Sequence, residues 1–499
     1  MRNSIQLILP GLIVAATALV VIVVDLVTRR KATLAWVAAA GLLIAAAVSV
    51  GQWVSFTHGF HGLSFHARTT QTGFADTIGF DKYATYFTLL FCGIGLLTVM
   101  LSDAYMTARR APLGEFYGLL LLIVCGMIGM AIATDLITFF IAFELMSLPT
   151  YVLAGFLRGD ERSGEAAMKY FVNGAFSSAI LLFGLGLLFG ASGDSNYLGV
   201  NNGLQAVTGV NGIAVIAAVL VVTVFLFKIS AVPFHGWAPD VYEGAPTPVT
   251  AFMSTGVKAG AFAGFLKLLT IADHFNAATW ANALVVFAIP TMIVGNVLAL
   301  PQRNLKRMLA YSSIAHAGYI LLGLIAAGKS GSDAGLHAVL FYVAVYAFMN
   351  IGAFGVLVWI RVRRQYDYSL DGVAGLGRTM PLASLAMTVF MLSLTGIPPA
   401  AGFWGKFYLF TAVVNAGYWW LALIAVIMST ISAFYYLRVV WYMFFREAEQ
   451  ELPVAALDAG PSVGISAALA IAAAAIVAIG LYPTPLIRFA STAIRSLVS

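Results

Sequence analysis

Long apolar segments dominate this sequence and restrict what it can fold into. Fourteen segments of about 20 residues carry few or no charged side chains, and this is the length that an α-helix needs to cross a bilayer. The chain is 61% hydrophobic and 10% charged, whereas a soluble protein carries about 25% charged residues. We therefore predict an all-α polytopic membrane protein, and the same composition excludes disordered, collagen-like and DNA-binding chains.

The predicted spans follow one another closely, and no loop between them is long enough to form a separate soluble domain. The first is longer than the apolar part of a cleaved signal peptide, and its basic residues follow it, so we interpret it as a retained span. The fourteen spans are 5–27, 33–54, 79–101, 115–133, 135–157, 165–190, 212–231, 249–271, 280–300, 304–326, 335–360, 380–416, 418–445 and 463–483.

Lysine and arginine side chains are concentrated in alternate loops. Fifteen of them, including Lys306 and Arg307, are assigned to loops after odd-numbered spans, and five are assigned to the other loops and the termini. Because cytoplasmic loops carry an excess of Lys and Arg, the odd-numbered loops are predicted to be cytoplasmic and both termini periplasmic. The net charge of +6 thus comes from basic residues whose positions orient the chain in a membrane. It does not indicate a nucleic-acid partner.

Signals for bound metals or cofactors are weak. Cys92 and Cys125 lie in apolar segments and provide neither a disulfide framework nor clustered thiolates. His58, His61 and His66 share a glycine-rich loop without a cysteine or paired carboxylate, so we interpret them as loop residues. No residue indicates a bound cofactor, and any redox chemistry is expected in other chains.

Charged residues within the predicted spans are the main candidates for function. Glu144, Lys228 and Lys258 lie near midspan, where a charge costs at least about 2.5–3.5 kcal/mol and usually marks an ion or proton path. Glu144 is the single acid near midspan and is the expected countercharge. Lysine suits proton transfer because desolvation weakens its hold on the proton and a nearby carboxylate strengthens it. A Na⁺ site would need several oxygen ligands, so protons are the expected cargo.

Four further cations lie within predicted spans, and three of them have structural alternatives. Lys169 and Lys267 lie near span ends and could extend to the membrane interface. Arg438 could bind a backbone carbonyl. Lys406 lies beside a proline pair in the twelfth span.

Prolines interrupt the seventh and twelfth spans. Proline removes a backbone donor, and the carbonyls that it leaves without a partner are tolerated at membrane depth only beside protein or water. A lysine near each interruption therefore indicates a hydrated site. The residues concerned are Lys228, Pro233, His235, Pro398, Pro399 and Lys406.

The two interruptions also indicate an internal repeat. Spans four to eight and nine to thirteen form two units of five, and the odd number inverts the second unit, as in many transporters. Glu144 then corresponds to His316, and Lys228 to Lys406. His316 could relay protons, although a hydrogen-bonded structural histidine is an equal alternative. The predicted divisions of the chain are 1–112, 113–273, 274–446 and 447–499.

The motifs resemble one family closely. The segment His235-Gly-Trp-Ala-Pro-Asp-Val-Tyr-Glu-Gly-Ala-Pro-Thr-Pro248 is similar to the signature of the subunit N family of bacterial respiratory complex I. The resemblance covers nearly the whole chain and includes Glu144–Pro149, the segment around Lys258, Tyr311–Tyr319 and Gly396–Lys406. Lys406 and the seventh-span loop favour subunit N over its sister subunit M, and the lack of a long lateral helix after the last span argues against subunit L.

The resemblance implies a proton-translocating, antiporter-like subunit in the membrane arm of NADH:quinone oxidoreductase, in the bacterial inner membrane. In this family the glutamate at Glu144 pairs with the lysine at Lys228, Lys258 continues the polar axis and Lys406 completes it. FMN, iron–sulfur clusters and quinone are then expected in partner subunits, and the expected partners are sister antiporter-like subunits and a peripheral NADH-oxidising arm. An Mrp-type cation/proton antiporter subunit and a passive scaffold are the alternatives, and the midspan charges argue against the scaffold.

Overall fold

Helices make up almost all of the structure, a computed structural model that describes residues 2–58, 71–206, 211–269, 277–330, 332–364, 366–448 and 462–498. Met253–Val257 forms a π-helical turn between the tenth and eleventh helices. The helices are α1 Arg2–Val27, α2 Ala32–His58, α3 Lys82–Ala108, α4 Leu113–Ile132, α5 Leu136–Ala154, α6 Glu161–Ser192, α7 Tyr197–Gln205, α8 Gly212–Lys228, α9 Trp237–Gly244, α10 Thr247–Phe252, α11 Lys258–Leu269, α12 Ala277–Ala299, α13 Leu305–Ser330, α14 Ala334–Arg363, α15 Leu376–Thr379, α16 Pro381–Thr395, α17 Ala401–Asn415, α18 Trp419–Phe445, α19 Val463–Leu481 and α20 Thr484–Val498.

The predicted all-α membrane protein is confirmed. In the described part of the chain, twelve helices are long and apolar enough to cross a membrane, and a pair bent by 118°, Asp371–Thr379 with Pro381–Thr395, is a thirteenth candidate. The predicted count of fourteen adds two interrupted spans to these twelve helices. One would consist of α8 with α9, and the other of α16 with α17.

The helices are interrupted at the prolines, as the sequence predicts. α8 ends at Lys228 before α9 begins at Trp237, and α16 ends at Thr395 before α17 begins at Ala401. The first connection contains a cis peptide bond before Pro233 and the second one before Pro399. Both connections therefore place non-helical backbone between two short helices, which is tolerated in a membrane only within protein or beside water.

A central column of helices positions the candidate residues. α3, α10 with α11, α13 and α14 are buried along most of their length, and α14 packs against α3, α10, α13, α16, α17 and α19. By contrast, α1, α2, α6, α12, α18 and α19 bury only about a third of their positions and expose large apolar side chains such as Trp36 and Phe176. The outer helices therefore separate the polar residues of the central column from lipid.

A short hairpin and four helices were not predicted. β1 (Gln71–Gly73) pairs antiparallel with β2 (Ile78–Phe80), and the Asp76 carbonyl accepts hydrogen bonds from Thr134 Oγ1 at 2.7 Å and Asn196 Nδ2 at 2.6 Å. The hairpin thus connects the end of α4 to the start of α7. α7, α9, α15 and α20 lie outside the predicted spans. His58 was assigned to the histidine loop, but it is the last residue of α2. His61 and His66 lie outside the described residues, as does the predicted boundary at 273–274.

Candidate functional site

Lys228, the last residue of α8, is 3% exposed and bonds to α5. Its Nζ donates to Ser147 Oγ at 2.7 Å and Tyr151 OH at 3.4 Å, and it lies 4.9 Å from the centre of the Phe143 ring. We call Lys228, Ser147 and Tyr151 the first lysine cluster. Its lysine is held by hydroxyl groups and an aromatic face.

Glu144 does not form the predicted ion pair with Lys228 in this structure. It lies on α5 three residues before Ser147, close enough to act electrostatically on Lys228, but the two charged groups are not within 4 Å of each other. Glu144 Oε1 is buried and has no hydrogen-bond partner among the described residues. The ammonium of Lys228 binds the hydroxyl one turn further along the helix instead.

Lys258 begins α11 directly after the π-helical turn. Its Nζ donates to both the carbonyl oxygen of Ser313, at 2.7 Å, and the Oγ of that residue, at 2.5 Å. Single π turns inside α-helices are frequent at functional sites, and this one was not predicted from the sequence. The contact joins the predicted fifth helix of the first repeat to α13.

His316 lies on α13, 1% exposed, between two tyrosines. Its Nδ1 is 2.6 Å from Tyr342 OH and its Nε2 is 3.1 Å from Tyr436 OH, which also hydrogen-bonds to Ser312 Oγ. An imidazole and hydroxyls can each donate or accept, so this arrangement can relay a proton. A structural histidine would need the same two hydrogen bonds. We call Lys258, Ser312, Ser313, His316, Tyr342 and Tyr436 the central cluster.

Lys406 on α17 binds the end of α16 across the second interruption. Its Nζ donates to the carbonyls of Leu394, at 3.0 Å, and Thr395, at 2.8 Å, and to Ser429 Oγ at 2.7 Å. The last carbonyls of a helix lack partners within the helix and carry partial negative charge, which an ammonium stabilises. We call Lys406, Ser429 and these two carbonyls the second lysine cluster.

Lys228 and Lys406 occupy different halves of their interrupted helices. Lys228 ends the first half, α8, whereas Lys406 is the sixth residue of the second half, α17. The predicted correspondence of Lys228 with Lys406 therefore does not extend to their positions within the two interrupted helices. Tyr319 separates the second lysine cluster from the central one, because Lys406 Nζ lies 5.3 Å from its ring centre and the His316 ring 5.7 Å from it.

Lys169 belongs to an ion network and does not simply extend to the interface. Its Nζ is 2.7 Å from carboxylate oxygens of both Glu165 and Asp240. Arg307 Nη1 is 2.7 Å from Asp240 and 3.0 Å from Glu243. The network joins α6, α9 and α13, and the Lys169 side chain is 41% exposed. It borders a cavity of about 250 Å³.

The assignment of Lys306 and Arg307 to a loop was wrong. Both lie in the first turn of α13, and Lys306 is 2% exposed. Lys306 Nζ donates to the Ala245 carbonyl at 2.6 Å and lies 4.9 Å from the Tyr368 ring centre. In the sequence, a charge at the end of a span cannot be distinguished from a charge in a loop. The burial of Lys306 results from packing against α9 and the loop that contains Tyr368.

Three secondary candidates lie outside the three clusters. Lys267 Nζ is 3.6 Å from Asp81 Oδ2, and both side chains are buried. Arg438 donates to the backbone carbonyls of Leu300 and Gln302 at 2.9 and 2.8 Å, which was its structural alternative. His235 lies in the first interruption, and its Nδ1 is buried without a hydrogen-bond partner in the described part of the chain.

Hydroxyl side chains were not predicted from the sequence as part of the site. They form most of the contacts around the charged residues and His316. A buried hydroxyl needs a hydrogen-bond partner, so tyrosines and serines within apolar spans were the available signal. The missed residues are Ser147, Tyr151, Ser312, Ser313, Tyr342, Ser429 and Tyr436.

Comparison with known proteins identifies related chains. Residues 133–432 match the family model described as NADH:quinone oxidoreductase/Mrp antiporter, TM. NADH-quinone oxidoreductase subunit N of Trichlorobacter lovleyi is 43% identical over 495 residues, covering 99% of this chain and 97% of the relative.

Two solved structures have closely similar folds. A chain of respiratory complex I from Thermus thermophilus, solved with bound aureothin, is 33% identical with a TM-score of 0.78 and coverage of 96% and 98%. A chain of the Mrp complex from Dietzia sp. has a TM-score of 0.83, coverage of 100% of both chains and 23% identity. At that identity, the second likeness concerns the fold alone.

Proposed function

Because the chain belongs to the NADH:quinone oxidoreductase/Mrp antiporter family, we propose that it is subunit N of an NADH:quinone oxidoreductase and translocates protons. The observation that carries the proposal is the environment of Lys228, Lys258 and Lys406. Each lysine is at most 5% exposed, and its ammonium is bound by hydroxyls or carbonyls, with no carboxylate within 4 Å in the described ranges. Since burial disfavours the charged form, such lysines can release and regain a proton.

The Glu144 carboxylate controls the first lysine. Redox work in partner subunits changes the separation of Glu144 and Lys228. A closer carboxylate stabilises the ammonium, and a more distant one favours its deprotonation. The proton then passes through the central cluster and reaches Lys406, with water completing the connections between clusters. Protons enter from the cytoplasm near Lys169 and leave to the periplasm.

The fourteen-span topology agrees with this direction of transport. α8 with α9, and α16 with α17, each form one interrupted span, and the two five-helix units are inverted with respect to each other. Both termini then face the periplasm, and the chain lies in the bacterial inner membrane. Residues 113–273 and 274–446 are the two units, flanked by 1–112 and 447–499.

The chain acts as part of a larger enzyme. Its partners are the other membrane-arm subunits, including sister antiporter-like subunits, and the peripheral arm that oxidises NADH. FMN, iron–sulfur clusters and quinone belong to those partners, and this chain contributes no redox centre.

The test is NADH-driven proton uptake in vesicles that carry the complex with Glu144→Gln. We expect proton uptake and NADH oxidation to fall together while assembly, measured as subunit composition, stays intact. Glu161→Gln, at an exposed position at the start of α6, is the matched control and should change neither activity. Unchanged uptake in Glu144→Gln, or in Lys228→Ala, would contradict the proposed mechanism and favour a scaffold.

An Mrp-type cation/proton antiporter subunit is the second candidate. It is favoured by the matched family model, whose description includes Mrp antiporters, and by the similar fold of the Dietzia Mrp chain. Purification with a tagged chain distinguishes the two functions. A peripheral NADH-oxidising arm should copurify with subunit N, whereas Na⁺-dependent proton exchange without that arm would identify an antiporter.

A further inference from the structure

A long apolar groove lies on the outer face of the chain, away from the lysine clusters. α2 and α19 both pack on α3, and the groove between them has a volume of about 1220 Å³. Its walls include Ala39 and Leu43 of α2, Leu96 and Met100 of α3, and Ile471 of α19. Pockets for small ligands enclose about 300–1,000 Å³, so the groove suits a longer occupant.

The length of the groove matches one leaflet of a membrane. Along α2 it extends from Ala32 to Leu43, and along α3 from Ala108 back to Leu96. At 1.5 Å per residue these stretches measure about 16–18 Å, close to half of a hydrocarbon core of about 30 Å. The groove therefore has the depth of a lipid acyl chain.

Positive charge is found at one end of the groove only. Arg29 and Arg110 line this end and are exposed, and no ion pair engages either within the described residues. Lys31 also lies here, but its ammonium binds Asp25 at 2.6 Å. Trp36, 75% exposed, borders the same end, and tryptophan is enriched where membrane meets water.

Asp103 lies further into the groove than the arginines. It lines the groove on α3, seven residues before Arg110, and its Oδ1 is buried with no hydrogen-bond partner in the described part of the chain. Seven residues of an α-helix span about 10 Å, so this acceptor lies part-way along the groove. The charged end itself offers two cations for a phosphate.

We propose that this groove binds one anionic phospholipid, such as phosphatidylglycerol. Its phosphate lies between Arg29 and Arg110, and its acyl chains follow the walls toward Leu43. Basic pockets between membrane helices on the cytoplasmic side bind anionic headgroups in this way, and the predicted orientation places these arginines on that side.

The test uses the assembled complex with Arg29→Gln and Arg110→Gln together. Complexes are reconstituted with phosphatidylglycerol that carries a photoreactive acyl chain, and labelled peptides are identified by mass spectrometry. We expect labelling of α2 and α19 to fall about fivefold for each arginine removed. Arg30→Gln is the matched control, because Arg30 lies in the same loop but does not line the groove, and its labelling should equal that of the unmodified complex.

Ala39→Trp provides a second variant, which fills the groove and keeps both arginines, and it should also lose labelling. Equal labelling in all variants, or equal labelling by photoreactive phosphatidylcholine, would overturn the proposal. A photoreactive residue at position 39 that crosslinks another subunit in place of lipid would overturn it as well. Subunit composition and NADH oxidation should be unchanged, because no groove residue belongs to the three clusters.

Discussion

The ammonium of Lys228 lies 2.7 Å from the hydroxyl of Ser147, one helical turn along α5 from Glu144. Both the carboxylate and the hydroxyl that act on this lysine therefore belong to one helix. A shift of α5 relative to α8 would change the two interactions together. The position of α5 is thus the quantity that coupled subunits would have to change.

Removing the Ser147 hydroxyl should impair proton transfer at the first lysine cluster. Ser147→Ala leaves Lys228 with Tyr151 at 3.4 Å as its remaining hydrogen-bond partner. A hydrogen bond to a charged group contributes about 1.5–3 kcal/mol, so we expect at least about tenfold slower NADH-driven proton uptake. Ser177→Ala on α6 is the control, since Ser177 Oγ is buried without a partner in the described structure. Equal effects of the two variants would contradict this role.

The central cluster should tolerate loss of the Ser313 hydroxyl better than loss of the lysine. Lys258 also binds the Ser313 backbone carbonyl at 2.7 Å, and Ser313→Ala preserves that bond. We expect Ser313→Ala to reduce proton uptake moderately and Lys258→Met to abolish it, with assembly unchanged in both. Uptake that survives in Lys258→Met would exclude Lys258 from the route.

Gly396 should be required for the position of Lys406. Gly396 has φ +90°, and a Cβ there would lie 2.9 Å from Lys406 Cδ. Gly417 has φ +87° with no atom within 4 Å of the added Cβ. Both Gly→Ala variants should lose about 1–2 kcal/mol of stability from the left-handed backbone, measured by thermal unfolding. Only Gly396→Ala should also slow proton uptake, and a parallel loss in Gly417→Ala would contradict this.

Removing only one partner of the buried pair Asp81–Lys267 should strongly destabilise the fold. Lys267→Met leaves a buried carboxylate, and removing one partner of such a pair costs about 3–5 kcal/mol. Adding Asp81→Asn should recover much of this loss, because asparagine can still begin α3. Arg158→Gln, at a pair that is mostly exposed, should cost at most about 1 kcal/mol. Thermal unfolding of the complex in detergent measures all three variants, and no recovery in the double variant would argue against the pair.

Much of the architecture could be predicted from the sequence, because a membrane penalises charge and non-helical backbone. The cost of burying a cation identified Lys228, Lys258 and Lys406, and all three are buried and hydrogen-bonded. The prolines predicted both helix interruptions because proline lacks a backbone N–H donor. These predictions depend on local chemistry and need no knowledge of which helices touch.

Contacts between distant helices could not be predicted. Lys228 and Ser147 are 81 residues apart, and His316 and Tyr436 are 120 apart, so spacing within a helix says nothing about them. The π turn before Lys258 has no proline or charge to indicate it. Lys306 was misplaced because its burial results from packing against α9 and a loop after α14.

The hydrogen bonds among Ser312, Tyr436, His316 and Tyr342 can be drawn with either atom of each pair as donor. Hydroxyls and imidazole can exchange these roles, so reversing every bond yields an equally satisfied chain. A proton that moves along such a chain can move in either direction. In the proposed function, the direction of transport must therefore be set outside this chain, by when Lys258 and Lys406 accept or release a proton, and the central residues could serve a reversed cycle equally well.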